Sequence, residues 1–344
     1  MPVWAISGGG GFLGLHLVPR LLADGIGVRS LDLVRLDPEL VRAGAVDLRG
    51  DVRNAKEAFE LCAGTDVLVH AAAALPSRRS VEAIRSVNVA GTATLLAAAA
   101  EAGVRRAIVL SSAVVYGLPE SLPLTEASWT APIEPYGRSK VEAERVVHEF
   151  AVRGLATVVL RPQAFIGPGR LGVFGILFDW VAEGRRIYTL GSGRNRYQLL
   201  AVEDLVTAIL LAAERPVAGE TYNLGARQFG TVAEDLAGLV AHAGSASRVT
   251  ALPAELARIG LRGLALAGLS PLAEWHYRTA DRDVYCDVSK AERDLGWAPR
   301  RSNLDALSSA YDWHFAHRDE RPAGGLTHRE RWSERALGLV RRVS

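Results

Sequence analysis

Val3-Trp4-Ala5-Ile6-Ser7-Gly8-Gly9-Gly10-Gly11-Phe12-Leu13-Gly14 decides how this chain is read. A short apolar run leads directly into glycines, and these open the helix-like segment Leu13–Ala23. Gly8, Gly11 and Gly14 have the spacing G-x-x-G-x-x-G. The early glycines permit a tight turn and close approach of backbone to a diphosphate, while Gly14 lets the helix pack on the strand. A helix N-terminus placed there offers free N–H groups and the favourable end of its dipole to an anion. Gly8, Gly11, Phe12, Leu13 and Gly14 are therefore the first candidate nucleotide contacts.

The same alternation continues outward. Gly27–Leu31, Val67–Val69, Ala107–Leu110 and Thr157–Leu160 join Val3–Ile6 as expected buried strands. Leu13–Ala23, Asn88–Ala102 and Ser139–Val152 are expected helices between them. Strand–helix alternation of this kind predicts an α/β fold, a Rossmann-type doubly wound parallel sheet, with ligands bound at the carboxyl ends of the strands. Residues 1–165 form this domain, and a later segment near 195–225 is expected to return to it. Residues 166–315, richer in glycine and proline and opening with a helix at Phe174–Glu183, are expected to form a smaller C-terminal substrate-binding lobe. The tail, 316–344, is expected to be helical.

Bulk composition excludes several classes. The 344 residues are 49% hydrophobic, enough for a sizeable core, and the formal net charge of +2 lacks the basic excess of a nucleic-acid binder. Cys62 and Cys286 make no disulfide framework and sit in no cluster with metal-ligand spacing, so they are expected as buried thiols and no metal is expected. No run of apolar residues is long enough for a membrane span, and no leader pattern opens the chain, so a cytoplasmic location is expected.

Asp32 ends the second strand, 18 residues after Gly14. A carboxylate there accepts hydrogen bonds from ribose hydroxyls and repels a 2′-phosphate, which favours NAD over NADP, although Arg35 lies close enough to offer the opposite charge. Asp51 and Val52, in the Gly50–Arg53 turn, are candidate adenine contacts. Ala71, Ala72 and Ala73 follow the third expected strand, where small side chains let backbone approach the cofactor. His70, beside them, has no neighbouring acid to orient it and reads as structural.

Tyr136 and Lys140 are four residues apart, so on a helix they share a face. A phenol with a pKa of about 10 is a poor proton carrier at neutral pH. An adjacent ammonium is expected to lower that pKa, so that the oxygen takes a proton from a secondary alcohol or returns one. Ser112, at the end of the strand between the glycine motif and Tyr136, is placed to hydrogen-bond the reacting oxygen.

Ser7–Gly14, Leu31-Asp32, Gly50–Val52, His70–Ala73, Asn88–Thr92, Ser111–Gly117, Tyr136–Lys140, Arg161-Pro162, Val202–Leu205 and Asp287–Trp297 with Pro299 together resemble the extended short-chain dehydrogenases, the NAD-dependent epimerase/dehydratase group. The resemblance covers about residues 3–315. It implies that Tyr136 is the general acid/base, that Lys140 holds the nicotinamide ribose, that Ser112 polarises the substrate oxygen, and that Asn88 supports the site. It also implies hydride transfer at a carbon bearing oxygen, and the family often forms homodimers.

Departures from the family pattern narrow the reaction. The 4,6-dehydratases of this group carry an Asp-Glu pair where this chain has Ala113 and Val114, which transfer no proton, so dehydration is disfavoured. Ala164 stands near a position where nucleotide-sugar enzymes place Asn, and Arg196, with Arg278 as a second contact, is a candidate clamp for a substrate phosphate. A small-molecule substrate is expected throughout. The first expectation is a nucleotide-sugar 4-epimerase or related sugar oxidoreductase. The alternative is a dehydrogenase or ketoreductase for an apolar alcohol, as in the 3β-hydroxysteroid dehydrogenase-like branch, and a third reading is a non-catalytic NAD-binding regulator. Ala257–Leu269, almost wholly apolar, is expected as a helix on the lobe or at a dimer face, with contact to an apolar substrate or a membrane surface as the alternative.

Overall fold

A computed structural model of the chain describes residues 1–75, 80–255, 259 and 278–318. Its strands are β1 (Val3–Ser7), β2 (Gly27–Asp32), β3 (Val46–Arg49), β4 (Val67–His70), β5 (Arg106–Leu110) and β6 (Thr157–Pro162). After these come β7 (Ala164–Ile166), β8 (Ile187–Leu190), β9 (Leu199–Ala201), β10 (Glu220–Leu224) and β11 (Val249–Leu252). The helices are α1 (Phe12–Ala23), α2 (Pro38–Arg42), α3 (Ala55–Cys62), α4 (Val81–Arg85), α5 (Gly91–Glu101) and α6 (Pro135–Val152). Further along are α7 (Val173–Ala182), α8 (Val202–Glu214), α9 (Val232–His242), α10 (Ser289–Leu295) and α11 (Asn303–Ala316).

Seven strands form one parallel sheet in the order β10-β6-β5-β4-β1-β2-β3. The chain winds outward from β1 through β2 and β3, then returns to β4 on the other side of β1. Between β1 and β4 the order therefore reverses, and the loops leaving their carboxyl ends part to form a crevice. β4, β5 and β6 are buried along their whole length, as expected of parallel strands covered on both faces. β3 is different. It is an edge strand, half exposed, and Asp47 and Arg49 interrupt its apolar pattern, so no buried run marks it in the sequence.

One face of the sheet is covered by α1 and α8, where Leu17, Leu21, Val206 and Ile209 pack with Trp297 on Ile6, Val69 and Ile108. On the other face Leu61, Leu95, Leu96 and Val147, from α3, α5 and α6, pack on Leu68, Ala107 and Val159. Val81–Glu101 runs as one continuous 21-residue helical segment, by length and composition apolar enough to cross a membrane. Its Leu95, Leu96, Ala98 and Ala99 are instead spent on this second core.

The lobe is built on α7, α9 and α11 around Phe178, Trp180, Leu239, Leu307 and Tyr311. Its helices start firmly: Thr231 with Glu234 and Ser302 with Asp305 both form reciprocal capping boxes. The short parallel pair β8–β11 belongs to the lobe, and a second, β7–β9, lies where the chain passes between the sheet domain and the lobe. The Ala257–Leu269 stretch (apart from Ile259) and the tail beyond Arg318 lie outside the described residues.

Candidate active site

A cleft opens at the crossover between β1 and β4. It is lined by the glycine turn, Asp32, Asp51–Arg53, Ala71–Leu75, Ser111, Tyr136, Lys140, Pro162 and Phe165. The turn approaches the neighbouring backbone so closely that no side chain fits. Gly8 has φ +83°, and a Cβ there would lie 2.7 Å from the Ala72 nitrogen. At Gly14 an added Cβ would lie 1.9 Å from the Gly9 carbonyl oxygen. α1 begins at this turn with no side-chain cap and no acid in its first turn, so its leading N–H groups face the cleft uncompensated. These features fit the diphosphate of a dinucleotide.

Asp32 sits where the sequence places it, at the end of β2. Its Oδ2 accepts from the Gly10 N–H at 3.0 Å and its Oδ1 from the Val34 N–H at 3.1 Å, so the carboxylate also shapes the turn. Burial raises its pKa, against the lowering effect of those backbone donors. Arg35 is turned to Asp47, 3.4 Å away, and away from Asp32. Val52 is buried under the cleft floor. Asp51 is held by Arg53, whose Nε donates to Oδ1 at 2.9 Å.

Tyr136 and Lys140 come together as the i and i+4 residues of α6, and Tyr136 stands in its first turn, just after Pro135. The Lys140 Nζ is 5.8 Å from the Tyr136 ring centroid and donates to the Leu110 carbonyl at 2.7 Å. Electrostatics differ here from the sequence expectation. Burial, with Glu134 adding, pushes the Tyr136 phenol up, and Arg170 opposes the shift. Lys140 is itself brought down to about 8 by burial, which outweighs the charge of Glu144. Burial is thus the largest influence on the phenol. Ser112 caps a short 3₁₀ turn, its Oγ accepting from the Val114 N–H at 3.3 Å, which leaves its O–H to donate. Ala113 is buried behind it.

Asn88 lies in a π-helical turn, Ser86–Ala90, between α4 and α5. Such turns often mark functional sites because they re-aim one side chain. The Asn88 Oδ1 accepts from Ala74 N–H at 2.7 Å, and its Nδ2 donates to Ala74 O at 3.1 Å and to Ser139 Oγ at 2.9 Å. It thereby clamps the end of the alanine run to the Tyr136 helix.

His70 is structural, as its sequence context implies. Its Nδ1 is 2.6 Å from Ser7 Oγ and its Nε2 is 2.8 Å from Thr92 Oγ1. The Thr92 hydroxyl donates to Asn88 O at 2.7 Å, so it accepts from Nε2–H, and Ser7 donates to Nδ1. That assigns the neutral Nε2–H tautomer. Burial, then the charge of Lys140, lowers the His70 pKa to about 3.

Sequence reasoning misses three other groups. Arg161 on β6 forms a buried bidentate pair with Glu144 on α6, with Nε–Oε1 at 2.9 Å and Nη2–Oε2 at 2.6 Å. Glu144 also accepts from Ser111, and Arg161 donates to Tyr116 Oη at 2.8 Å. Pro162 and Phe165 line the same cleft as Tyr136, at and just after the Arg161-Pro162 motif. Arg170 lies near Tyr136 and is announced only by the turn Gly167-Pro168-Gly169 before it.

The expected substrate residues are dispersed. Ala164 is on β7, half-buried beside the third core. The Arg196 guanidinium packs against both Phe229 and Tyr285, 4.6 and 4.9 Å from their ring centroids, and does not line the cleft. Arg278, half-buried, does not line it either.

The NAD dependent epimerase/dehydratase family model matches residues 4–225. A Stigmatella aurantiaca enzyme, 4-hydroxy-2-methyl-3-oxo-4-farnesyl-3,4-dihydroquinoline-1-oxide ketoreductase, is 32% identical over 89% of this chain and 95% of its own length. Among solved structures, the UDP-glucose 4-epimerase of Thermotoga maritima with UDP-glucose superposes with a TM-score of 0.76 at 25% identity, covering 93% of this chain and 100% of that one. MoeE5 in complex with UDP-glucuronic acid and NAD gives a TM-score of 0.73 at 25% identity, covering 92% and 99%.

Proposed function

The chain belongs to the NAD-dependent epimerase/dehydratase family, and from that premise we propose that it is an NAD-dependent ketoreductase or dehydrogenase for a secondary alcohol/ketone carried on an apolar substrate. The observation that carries this reading is the chemistry of the cleft near Tyr136. Five described lining residues are ionisable, Asp32, Asp51, Arg53, Tyr136 and Lys140, and the two acids are at the β2–β3 end. The remaining lining includes the apolar Leu75, Val87, Leu110, Pro162 and Phe165, with Ser111 as its one hydroxyl beside the tyrosine's. With Ala113 and Val114 beside Ser112, one proton-transferring group serves one oxygen, which suits oxidation or reduction and leaves elimination of water without an acid/base pair.

NAD, when bound, supplies the hydride chemistry. Ser112 donates a hydrogen bond to the substrate oxygen and fixes it near Tyr136. The protonated phenol is the form that delivers a proton to a ketone oxygen, and Lys140, held by Leu110 O, stabilises the negative charge this leaves on Tyr136. Asp32, with Arg35 diverted to Asp47, favours NAD over NADP. The ketoreductase from Stigmatella, whose name specifies a farnesyl-bearing ketone, supports the apolar substrate class.

A second reading, a nucleotide-sugar 4-epimerase, is favoured by the likeness to the Thermotoga enzyme. An arginine clamp on the sugar diphosphate is its natural requirement, and here Arg196 is already engaged by two aromatic rings. Purified protein with NADH and an isoprenoid-substituted cyclic ketone separates the two. Stoichiometric loss of NADH absorbance, with UDP-glucose left unchanged, is expected. Formation of UDP-galactose without net change in NADH would overturn the proposal, because an epimerase returns the hydride it takes.

A further inference from the structure

Arg170 is a partly exposed cation without a counter-ion among the described residues, and two of its guanidinium nitrogens are buried. It ends the turn that follows β7, where its N–H bonds to Gly167 O at 3.1 Å. The turn is fastened to α1, since His16 Nε2 donates to the Pro168 carbonyl at 2.8 Å. Gly169, at φ +83°, rests so close to Leu15 that a Cβ would lie 2.6 Å from its Cδ2. The guanidinium therefore has a fixed address. It packs 5.2 Å from the Phe12 ring and 5.5 Å from the Phe165 ring, which themselves stack at 5.6 Å.

Its Nε and Nη1 are closed off from solvent and have no hydrogen-bond partner. Buried N–H groups left unpaired are costly, and a ligand that completes the set is one way a folded protein accounts for them. Burial already draws the Arg170 pKa down to about 10, with Tyr136 near enough to oppose the shift. Two landmarks locate the missing anion. Phe12 is the first residue of α1, whose uncapped N-terminus faces the cleft. Tyr136 marks the reacting end of that cleft. Both residues line the cleft, and Arg170 packs against Phe12 just behind that lining without being part of it.

We propose that Arg170 binds the diphosphate of the dinucleotide, at the phosphate on its nicotinamide side, and completes an anion site of which the α1 N-terminus is the other half. This rests on the dinucleotide reading above. Stacking on Phe12 and Phe165 orients the guanidinium plane while its N–H groups remain free for phosphate oxygens.

Calorimetric titration of NAD, ADP-ribose and AMP into wild type, Arg170→Leu and Arg170→Lys tests this. AMP carries only the adenosine-side phosphate. Arg170→Leu is expected to weaken NAD and ADP-ribose about 10- to 100-fold, the range of one or two charge-assisted hydrogen bonds, and to leave AMP within about twofold. Arg170→Lys recovers part of the loss. The melting temperature of unliganded Arg170→Leu should equal or exceed that of wild type, because unpaired buried N–H groups are removed, whereas a merely structural arginine would lower it. Equal NAD affinity in wild type and Arg170→Leu overturns the inference and points to a substrate anion instead. An equal loss for AMP overturns the assignment to the far phosphate. Failure of wild type to bind NAD or ADP-ribose at all overturns the dinucleotide reading, and the inference with it.

Discussion

Lowering the pH from 7 to 5 is expected to cost the wild-type chain about 2 kcal/mol more than it costs a His70→Gln variant. His70 is 3% exposed, and both its ring nitrogens are engaged, one by Ser7 and one by Thr92. Protonation would put a hydrogen on Nδ1, where Ser7 now donates, and would add a charge in a dry site near the Lys140 ammonium. The folded pKa is consequently about 3, against 6.5 for the free side chain. Between these two values the unfolded chain binds a proton that the folded chain does not. The stabilisation is complete above pH 6.5 and is lost as pH falls through that window. At about 1.4 kcal/mol per unit, the full window amounts to roughly 5 kcal/mol, and the step from pH 7 to 5 to about 2 kcal/mol. Urea unfolding of both proteins at the two pH values measures the difference, and the variant cancels the contribution of the carboxylates. Nitrogen-15 shifts of the imidazole supply a second readout, in which Nδ1 remains an acceptor down to pH 4. Parallel pH profiles for wild type and His70→Gln would refute the reasoning.

Three other substitutions probe the remaining parts of the site. Gly14→Ala puts a methyl within 1.9 Å of the Gly9 oxygen, a backbone atom that cannot swing away. The turn must shift, at a cost of about 1–3 kcal/mol in stability and at least about tenfold in ADP-ribose affinity, measured by melting and calorimetry. Tyr136→Phe should lower the turnover of the ketone about 10²- to 10⁴-fold while NAD affinity stays within a few-fold, and equal turnover would remove Tyr136 from the chemistry. Glu144→Ala leaves Arg161 buried with its carboxylate partner gone, a loss of about 3–5 kcal/mol by urea unfolding, and a loss below about 1 kcal/mol would mean that the pair is solvated.

The sheet and the juxtaposition of Tyr136 with Lys140 are legible because their signals are local. Glycines at 8, 11 and 14, an acid 18 residues later, and Tyr136 with Lys140 one helical turn on are each read within a single element. β3 and β10 evade the same reading. Asp47 and Arg49 break one, and β10 begins with Glu220 at an exposed end. Pairs that depend on tertiary approach evade it altogether. Arg161 and Glu144 are 17 residues apart on different elements, and Arg196 meets Phe229 and Tyr285 only because a loop, a helix entry and a bridge converge. Burial, which raises the Tyr136 phenol, is likewise invisible to sequence spacing, which places the ammonium but carries no information on how dry the site is.

The position of Tyr136 relative to the glycine turn is set by directional bonds. From Ser7, at the end of β1, an unbroken series runs through His70 and Thr92 to the Asn88 carbonyl. The Asn88 side chain continues it to Ser139, whose Oγ donates to the Tyr136 carbonyl at 2.7 Å. The series crosses the point where the strand order reverses, the place where nucleotide and substrate must be held in one geometry. Apolar contacts there would hold the elements together without fixing their relative angle, because hydrophobic burial is non-directional. Hydrogen bonds weaken steeply once misaligned, so each link restricts the next. The π turn at Ser86–Ala90 follows from this demand. It places Asn88 so that its side chain grips Ala74 and Ser139 while its own carbonyl receives Thr92. The pH sensitivity of His70 is then the cost of routing that alignment through an imidazole, and it should appear in the placement of Tyr136 as well as in stability.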